Sequence, residues 1–374
     1  MIAGGAAPAP RRRWRVGVLG ATGVVGQKLV ARLEGHPWFE LAAVAASERS
    51  AGRRYGEAVR WRESTPIPAA AAGLEIQAVD RELEVDLVLS ALDAATASAV
   101  EPLHAARLPV VTNASAHRMD PTVPLVVPEV NPGHLELALR QRFGDGFIVA
   151  NPNCAAIGLA LALAPLVAAF GVEEALVTTL QAASGAGSPG VPSLDLLGNV
   201  IPWIAGEEEK LEREPRKIFG RLLAGALREA PLRIAAQVHR VPVVDGHLLA
   251  IAARLSRPAE LAEVAAAIDG FGDPLADLGL PSSPRAVLIR GHEEEFPQPR
   301  LHAGLGAGMS VAIGRLRRSP VLDLRCEVLV NNLVRGAAGG TLLVAELVAS
   351  RGLLATGGAR AAASAARLAA PVAD

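Results

Sequence analysis

The sequence predicts an α/β protein of two domains, a parallel sheet covered by helices followed by a second α+β unit. Three observations predict it. Between residues 14 and 150 short apolar runs alternate with helical stretches, as repeated strand–helix–strand units require. The first strand-to-helix junction carries Gly20, Gly23 and Gly26 in the run GATGVVG. After Cys154 and one helix, the apolar runs lengthen and are separated by loops, which suits an antiparallel or mixed sheet.

In order, the parallel unit takes strands at 15–19, 41–46, 85–92, 109–112, 125–127 and 147–150. Helices follow at 25–33 and in the alanine-rich stretch after residue 92. A helix at 155–170 leads into the second sheet, with strands at 174–181, 233–239, 247–254, 286–290, 309–316 and 321–330. A last helix at 341–349 needs a surface for its apolar face, and the first domain offers one. The expected division is therefore 14–153 plus 333–356 for the first domain and 154–332 for the second. Residues 1–13 and 357–374 are expected to be tails.

Composition narrows the function. The 374 residues are 51% hydrophobic, enough for two cores. Thirty-seven basic residues against 38 acidic ones give a net charge of −1, which excludes a polyanion-binding surface spread over the chain. No nucleic-acid partner is expected. Only Lys28, Lys210 and Lys217 are lysines, so a lysine beside other polar residues is informative. Two cysteines, Cys154 and Cys326, are too few for a disulfide framework. Neither a signal peptide nor a membrane span is expected, and the expected setting is a reducing cytoplasm.

The glycine run follows a strand and opens a helix, the context in which backbone N–H groups approach a pyrophosphate. Its spacing is GxxGxxG, and the reading is a Rossmann-type dinucleotide site. The second strand ends in Ser47-Glu48-Arg49-Ser50. Two hydroxyls and a guanidinium suit a ribose 2′-phosphate, and the expected cofactor is NADP. Glu48 is the one residue there that would suit NAD.

Cys154 falls where strand 147–150 gives way to a helix. A thiol there is expected to gain thiolate character from the helix dipole and free N–H groups, which would also suit an oxyanion. Cys326 lies inside an alternating strand and reads as an inert core residue. His247 follows the turn VVDG and begins a strand, so it is a candidate to shuttle protons near neutral pH. Arg240, seven residues earlier, is a candidate for bidentate carboxylate capture. No metal is expected.

These residues sit in a series of motifs. They are GATGVVGQ at Gly20, SERSAGRRY at Ser47, TNAS at Thr112 with Arg118 beyond it, and VPLVVPEVNP at Val123. NPNC at Asn151, QAASGAGSPGVPSLD at Gln181, GNVIPWIAGEEEKLE at Gly198, HRVPVVDGH at His239 and NNLVRGAAGG at Asn331 complete it. Together they resemble the aspartate-semialdehyde dehydrogenase family, in its archaeal and fungal-type branch, over about residues 14 to 352. The resemblance implies that Cys154 is the nucleophile, His247 the acid/base and Gln181 the group that orients the acyl intermediate. It implies that Arg240 clamps the substrate carboxylate and Glu207 meets its amino group, with Lys210, Arg118 and Asn153 forming the phosphate site. Gly20, Thr22, Gly23, Val24, Val25, Ser47, Arg49, Ser50, Ser184, Gly185 and Asn332 would contact NADP. The second domain would be catalytic and dimerising, and the protein a homodimer or homotetramer.

The implied reaction is NADPH-dependent reductive dephosphorylation of L-4-aspartyl phosphate to L-aspartate 4-semialdehyde through a cysteine thioester, in lysine, threonine and methionine biosynthesis. A malonyl-CoA reductase of the same fold branch is the runner-up, and a non-catalytic NADP-binding paralogue a third reading. Glu207 favours the first, because malonyl-CoA has no amino group. The chain departs from the family at Ala155, where a hydroxyl residue is usual, and at Leu248, where Thr is common. Which of Glu207, Glu208 and Glu209 faces substrate is open.

Overall fold

The computed structural model describes residues 12–354. The expected tail 357–374, and the expected N-terminal tail except residues 12 and 13, lie outside them. The first sheet contains β1 (Trp14–Leu19), β2 (Phe39–Ala46), β3 (Ile76–Ala78), β4 (Leu87–Ser90), β5 (Pro109–Thr112) and β6 (Phe147–Ala150). All neighbours are parallel, in the order β3-β2-β1-β4-β5-β6. The order reverses between β1 and β4, and a ligand crevice opens beyond the carboxyl ends of strands at such a point. The short β3 is additional to the expected strands. Expected strand 125–127 is not one: Leu125 makes a single parallel bridge to Ala150. Pro124 on one side and Pro128 on the other remove the donors a ladder would need.

The second sheet is mixed. It holds β7 (Val172–Gln181), β10 (Arg233–Arg240), β11 (His247–Leu255), β12 (Leu288–Arg290), β13 (Val311–Arg318) and β14 (Leu324–Val330), and a separate hairpin pairs β8 (Arg221–Leu223) with β9 (Ala226–Arg228). Its order is β10-β7-β11-β14-β13-β12, parallel at both edges and antiparallel within. Alternation on β7 buries Ala175, Val177, Thr179 and Gln181 and turns Leu176 and Leu180 outward.

The helix Cys154–Phe170 is apolar on every side, and 13 of its 17 residues are buried. A helix with no polar face must be enclosed, and this one packs against β7, β11, β13 and β14 on the inner face of the second sheet. Its first residue is thereby fixed at the junction of the two sheets. The helix Gly339–Ser350 packs instead against β4, β5 and the helix Val24–Leu33, as the need to bury its apolar surface requires. Among the described residues no helix is long and apolar enough to cross a membrane.

Candidate active site

A cavity of about 1150 Å³ runs from the β1–helix turn to the start of the helix Cys154–Phe170. At its first end Gly20 has φ +72°, and a Cβ there would stand 2.6 Å from the Ala91 carbonyl oxygen. A Cβ on Gly26 would stand 2.1 Å from the oxygen of Gly20, so the strand and helix touch only because both residues lack one. Gly23 is the N-cap and supplies no side-chain acceptor, and the first turn of Val24–Leu33 holds no acid. Its orphan N–H groups therefore face the cavity ready for an anion. Thr22, Val24 and Val25 line it, and so do Ser47 and Arg49 beyond β2. Glu48 does not line it. Ser50 does not either, and its N–H donates to the Ser47 carbonyl at 2.8 Å, shaping the loop. These donors fit a dinucleotide carrying an additional phosphate.

At the other end stand Cys154, Gln181, Arg240, Glu207, Lys210, Arg118 and Asn153, together with Ser184, Gly185 and Asn332. Residues distant in sequence converge here because β7 and β10 end side by side, with Gln181 paired to Arg240. Asn153 caps the helix Cys154–Phe170: its Oδ1 accepts from the N–H groups of Ala155 and Ala156 at 3.0 and 3.1 Å. The helix start is thus ordered by Asn153 without a hydroxyl at Ala155, which is packed in the core. The cap also occupies two of the N–H groups expected to suit an oxyanion.

Burial works against a second expectation, the thiolate at the helix start. Cys154 is half-buried, and its thiol is pushed up to about 12, first by desolvation and then by the Glu207 carboxylate. Arg118, the Ala155 N–H and Arg240 pull the other way without prevailing. The helix terminus alone does not make a thiolate here. Gly336 is packed so tightly on this residue that a Cβ would lie 2.4 Å from the Cys154 Cβ.

His247 is fully buried and is not part of the cavity wall. It lies beneath Gly185, where a Cβ would come within 3.2 Å of its Nε2. Its Nδ1 accepts from the Ala182 N–H at 3.0 Å, so the neutral ring carries its proton on Nε2, a buried nitrogen with no partner. Burial first, and the Arg240 charge second, push the imidazole down to about 3. Burial thus works against the proton exchange near neutral pH that the sequence suggests; in the free site the ring is neutral and its Nε2–H lies covered by Gly185.

Of the three adjacent glutamates, the structure turns Glu207 inward. Its Oε1 accepts from Lys210 Nζ at 2.7 Å, and its Oε2 from Asn153 Nδ2 at 2.9 Å and Gln181 Nε2 at 3.4 Å. Burial would raise this carboxyl, but the Lys210 charge and these hydrogen bonds together hold it below the usual range. Glu208 reaches the Val238 N–H, and Glu209 pairs with Arg213 on the outside. Arg240 is buried and donates from Nη1 to the Ala182 carbonyl at 2.6 Å. Asn332 donates to Ser184 Oγ at 2.9 Å and accepts from the Gly246 N–H at 2.8 Å, tying together the two loops beside His247.

Sequence reasoning missed two residues on the same helix, Glu207–Ile218. Glu214 is buried and accepts from Arg118 Nη1 at 3.0 Å and from the Asn153 N–H at 2.6 Å, joining Arg118 to the residue before Cys154. Lys217 donates to the carbonyls of Arg118, Asp120 and Val123 at 2.6 to 2.7 Å and so fixes the turn that carries Arg118. The signal was available: 207, 210, 214 and 217 share one helical face, and Lys217 is one of three lysines. Glu129 and Arg335 were also missed. They form a fully buried bidentate pair at 2.7 and 2.5 Å, anchoring the turn that carries Gly336.

Leu248 alternates with His247 on β11 and points to the opposite face of the sheet, opposite Leu180 of β7. That departure therefore falls away from the cavity.

The comparisons agree with this geometry. The semialdehyde dehydrogenase NAD binding domain family matches residues 15–138, and the semialdehyde dehydrogenase dimerisation domain family matches residues 163–335. The aspartate-semialdehyde dehydrogenase of Archaeoglobus fulgidus is 47% identical over 341 residues, covering 90% of this chain and 98% of its own. That of Aspergillus fumigatus is 44% identical over 356 residues, covering 91% and 98%. The crystal structure of the Candida albicans enzyme with NADP superposes with a TM-score of 0.85 at 37% identity, over 91% of this chain and 99% of that one. With both domain families matched and relatives above 40% identical over nine-tenths of its length, the chain belongs to the aspartate-semialdehyde dehydrogenase family.

Proposed function

We propose that this chain reduces L-4-aspartyl phosphate to L-aspartate 4-semialdehyde with NADPH, releasing phosphate through a thioester on Cys154. The observation that carries the reading is the convergence on one cavity of Cys154, a buried carboxylate (Glu207) and three cations (Arg118, Lys210 and Arg240). A substrate with a carboxylate, an ammonium and an acyl phosphate matches those charges group for group. Malonyl-CoA would leave Glu207 without an ammonium.

The proposed sequence uses the chain's own groups. Arg240 holds the α-carboxylate, Glu207 the ammonium, and Arg118 and Lys210 the phosphate. Sulfur of Cys154 attacks the acyl carbon, the carbon–oxygen bond to phosphate breaks, and the thiol proton leaves on the phosphate. His247 would donate its Nε2–H to the carbonyl oxygen as that oxygen becomes an oxyanion, once the Gly185 loop that covers the ring gives way to substrate. Gln181 keeps the acyl group in line. NADP(H), held by Gly20, Thr22, Gly23, Val24, Val25, Ser47 and Arg49, would supply the hydride when bound. Collapse of the resulting thiohemiacetal releases the aldehyde and returns the sulfur, which takes a proton from solvent. The test is an assay with purified protein, NADP, phosphate and aspartate semialdehyde, beside one with malonyl-CoA and NADPH. Reduction of malonyl-CoA with no oxidation of the semialdehyde would exchange the two readings.

Arg49 is proposed to discriminate NADP from NAD. Arg49→Ala is expected to weaken NADP binding about tenfold to a hundredfold, the worth of a charge-assisted bond at roughly 1.5–3 kcal/mol, and to leave NAD nearly unaffected. Equal losses for both cofactors in binding titrations would contradict the assignment.

The same reading includes the domain division 14–153 plus 333–356 and 154–332, a cytoplasmic setting and, of the expected homodimer or homotetramer, the homodimer. The outward face of β7 and β11 supports the dimer: Leu176 and Leu180 are exposed beside Ala252 and Leu248, an apolar patch of the kind that marks an interface. Light scattering should give the mass of two chains. Leu176→Arg with Leu180→Arg should give one, and a parent protein of one chain's mass would refute it.

A further inference from the structure

Within the site, Lys210 and Glu207 are spent on each other. The pair lies one helical turn apart at 2.7 Å, with the Glu207 side chain only 10% exposed and that of Lys210 31% exposed. The second cation of the anion site is not free to move: the Arg118 side chain is 7% exposed, and its guanidinium is tied to Glu214 at 3.0 Å and to the Asn113 carbonyl at 2.8 Å. Lys210 is the adjustable cation, and in the free site its ammonium faces a carboxylate.

Resting on the substrate reading above, we propose that this ion pair makes phosphate capture conditional on an α-ammonium in the substrate. Drawing Lys210 away with nothing in its place would leave a buried carboxylate uncompensated, which is strongly unfavourable. An arriving ammonium replaces Lys210 on Glu207 Oε1, the carboxylate keeps one cation throughout, and the released Lys210 turns to the phosphate. A substrate without the amino group leaves Lys210 pinned, and the phosphate then meets a site with one fewer available cation. The pair is thus a specificity determinant acting by exchange. Because coupling between two sites is reciprocal, phosphate strengthens the hold on the ammonium by the factor with which the ammonium strengthens the hold on phosphate.

Two measurements test it. In the first, phosphate is titrated calorimetrically into NADP-loaded parent and Glu207→Gln proteins without any aldehyde. Glutamine keeps an oxygen for Asn153 and Gln181 but no longer holds Lys210. The variant should bind phosphate at least about fivefold more tightly, the lower end of ordinary coupling; equal or weaker binding overturns the proposal. In the second, the phosphate KM is compared with aspartate semialdehyde and with its desamino analogue 4-oxobutanoate. For the parent it should be lower with the amino substrate, and for Glu207→Gln the two should coincide. A parent KM that ignores the amino group while both aldehydes are oxidised would also overturn it. Failure of the parent to oxidise aspartate semialdehyde refutes the substrate reading instead, and the titration still decides the exchange.

Discussion

Replacing Cys154 with alanine should lower turnover about a millionfold, the scale on which removal of a catalytic nucleophile acts, and Cys326→Ala should leave kcat within about twofold of the parent. The two thiols differ in place, not in ionisation. Both are pushed up to about 12, chiefly by burial. Cys154 borders the cavity, whereas Cys326 lies in β14 among core residues at 5% exposure. Its truncation removes one buried atom and should cost about 1 kcal/mol of stability. Alkylation reads the thiol directly. Below about 12 the thiolate fraction rises tenfold per pH unit, so the free protein should lose activity to iodoacetamide about tenfold faster per unit between pH 7 and 9. A rate already flat at pH 7 would show that the free site holds a thiolate, contrary to the balance of charges found. Comparable activity losses in the two folded variants would end the assignment of Cys154.

Removing the imidazole should be the next most damaging change. His247→Ala deletes the Nε2–H donor, and loss of one oxyanion donor lowers kcat by about 10²–10³. The KM for aspartate semialdehyde should change little, since Arg240 and Glu207 remain. The pH profile separates a fixed donor from a proton shuttle. With the ring pushed down to about 3, kcat/KM for the parent should show no limb near 6.5 that disappears in the variant; such a limb would restore the shuttle. Stability has a definite sign as well. The folded-state value lies below the unfolded one, so the unfolded chain binds the proton first and stability falls as pH drops from about 6.5 toward 3. That acid-side fall in Tm should be shallower in His247→Ala.

Much of the fold was legible because it follows from local pattern. β5 and β6 coincide with the apolar runs read at 109–112 and 147–150, and the glycine turn announced its own geometry. The helix Glu207–Ile218 was not read as an element from the residues themselves, since its buried face carries Glu207, Glu214 and Lys217, and apolar periodicity is blind to a polar face turned inward. The strand expected at 125–127 failed for the complementary reason: its apolar residues are buried, but prolines on both sides prevent a ladder.

By itself the sequence determined the two-domain α/β plan, the cofactor turn, the family motifs and where each cysteine stands among them. Tertiary structure alone decided the charge state of the site. Whether a thiol, an imidazole or one of three glutamates is ionised, and which way it faces, depends on desolvation and on partners far away in the chain. Asn153 meets Glu207 and Glu214, and His247 lies under Gly185 beside Arg240. Electrostatic energies fall off with distance in space and rise steeply as water is excluded, and a linear sequence records neither quantity.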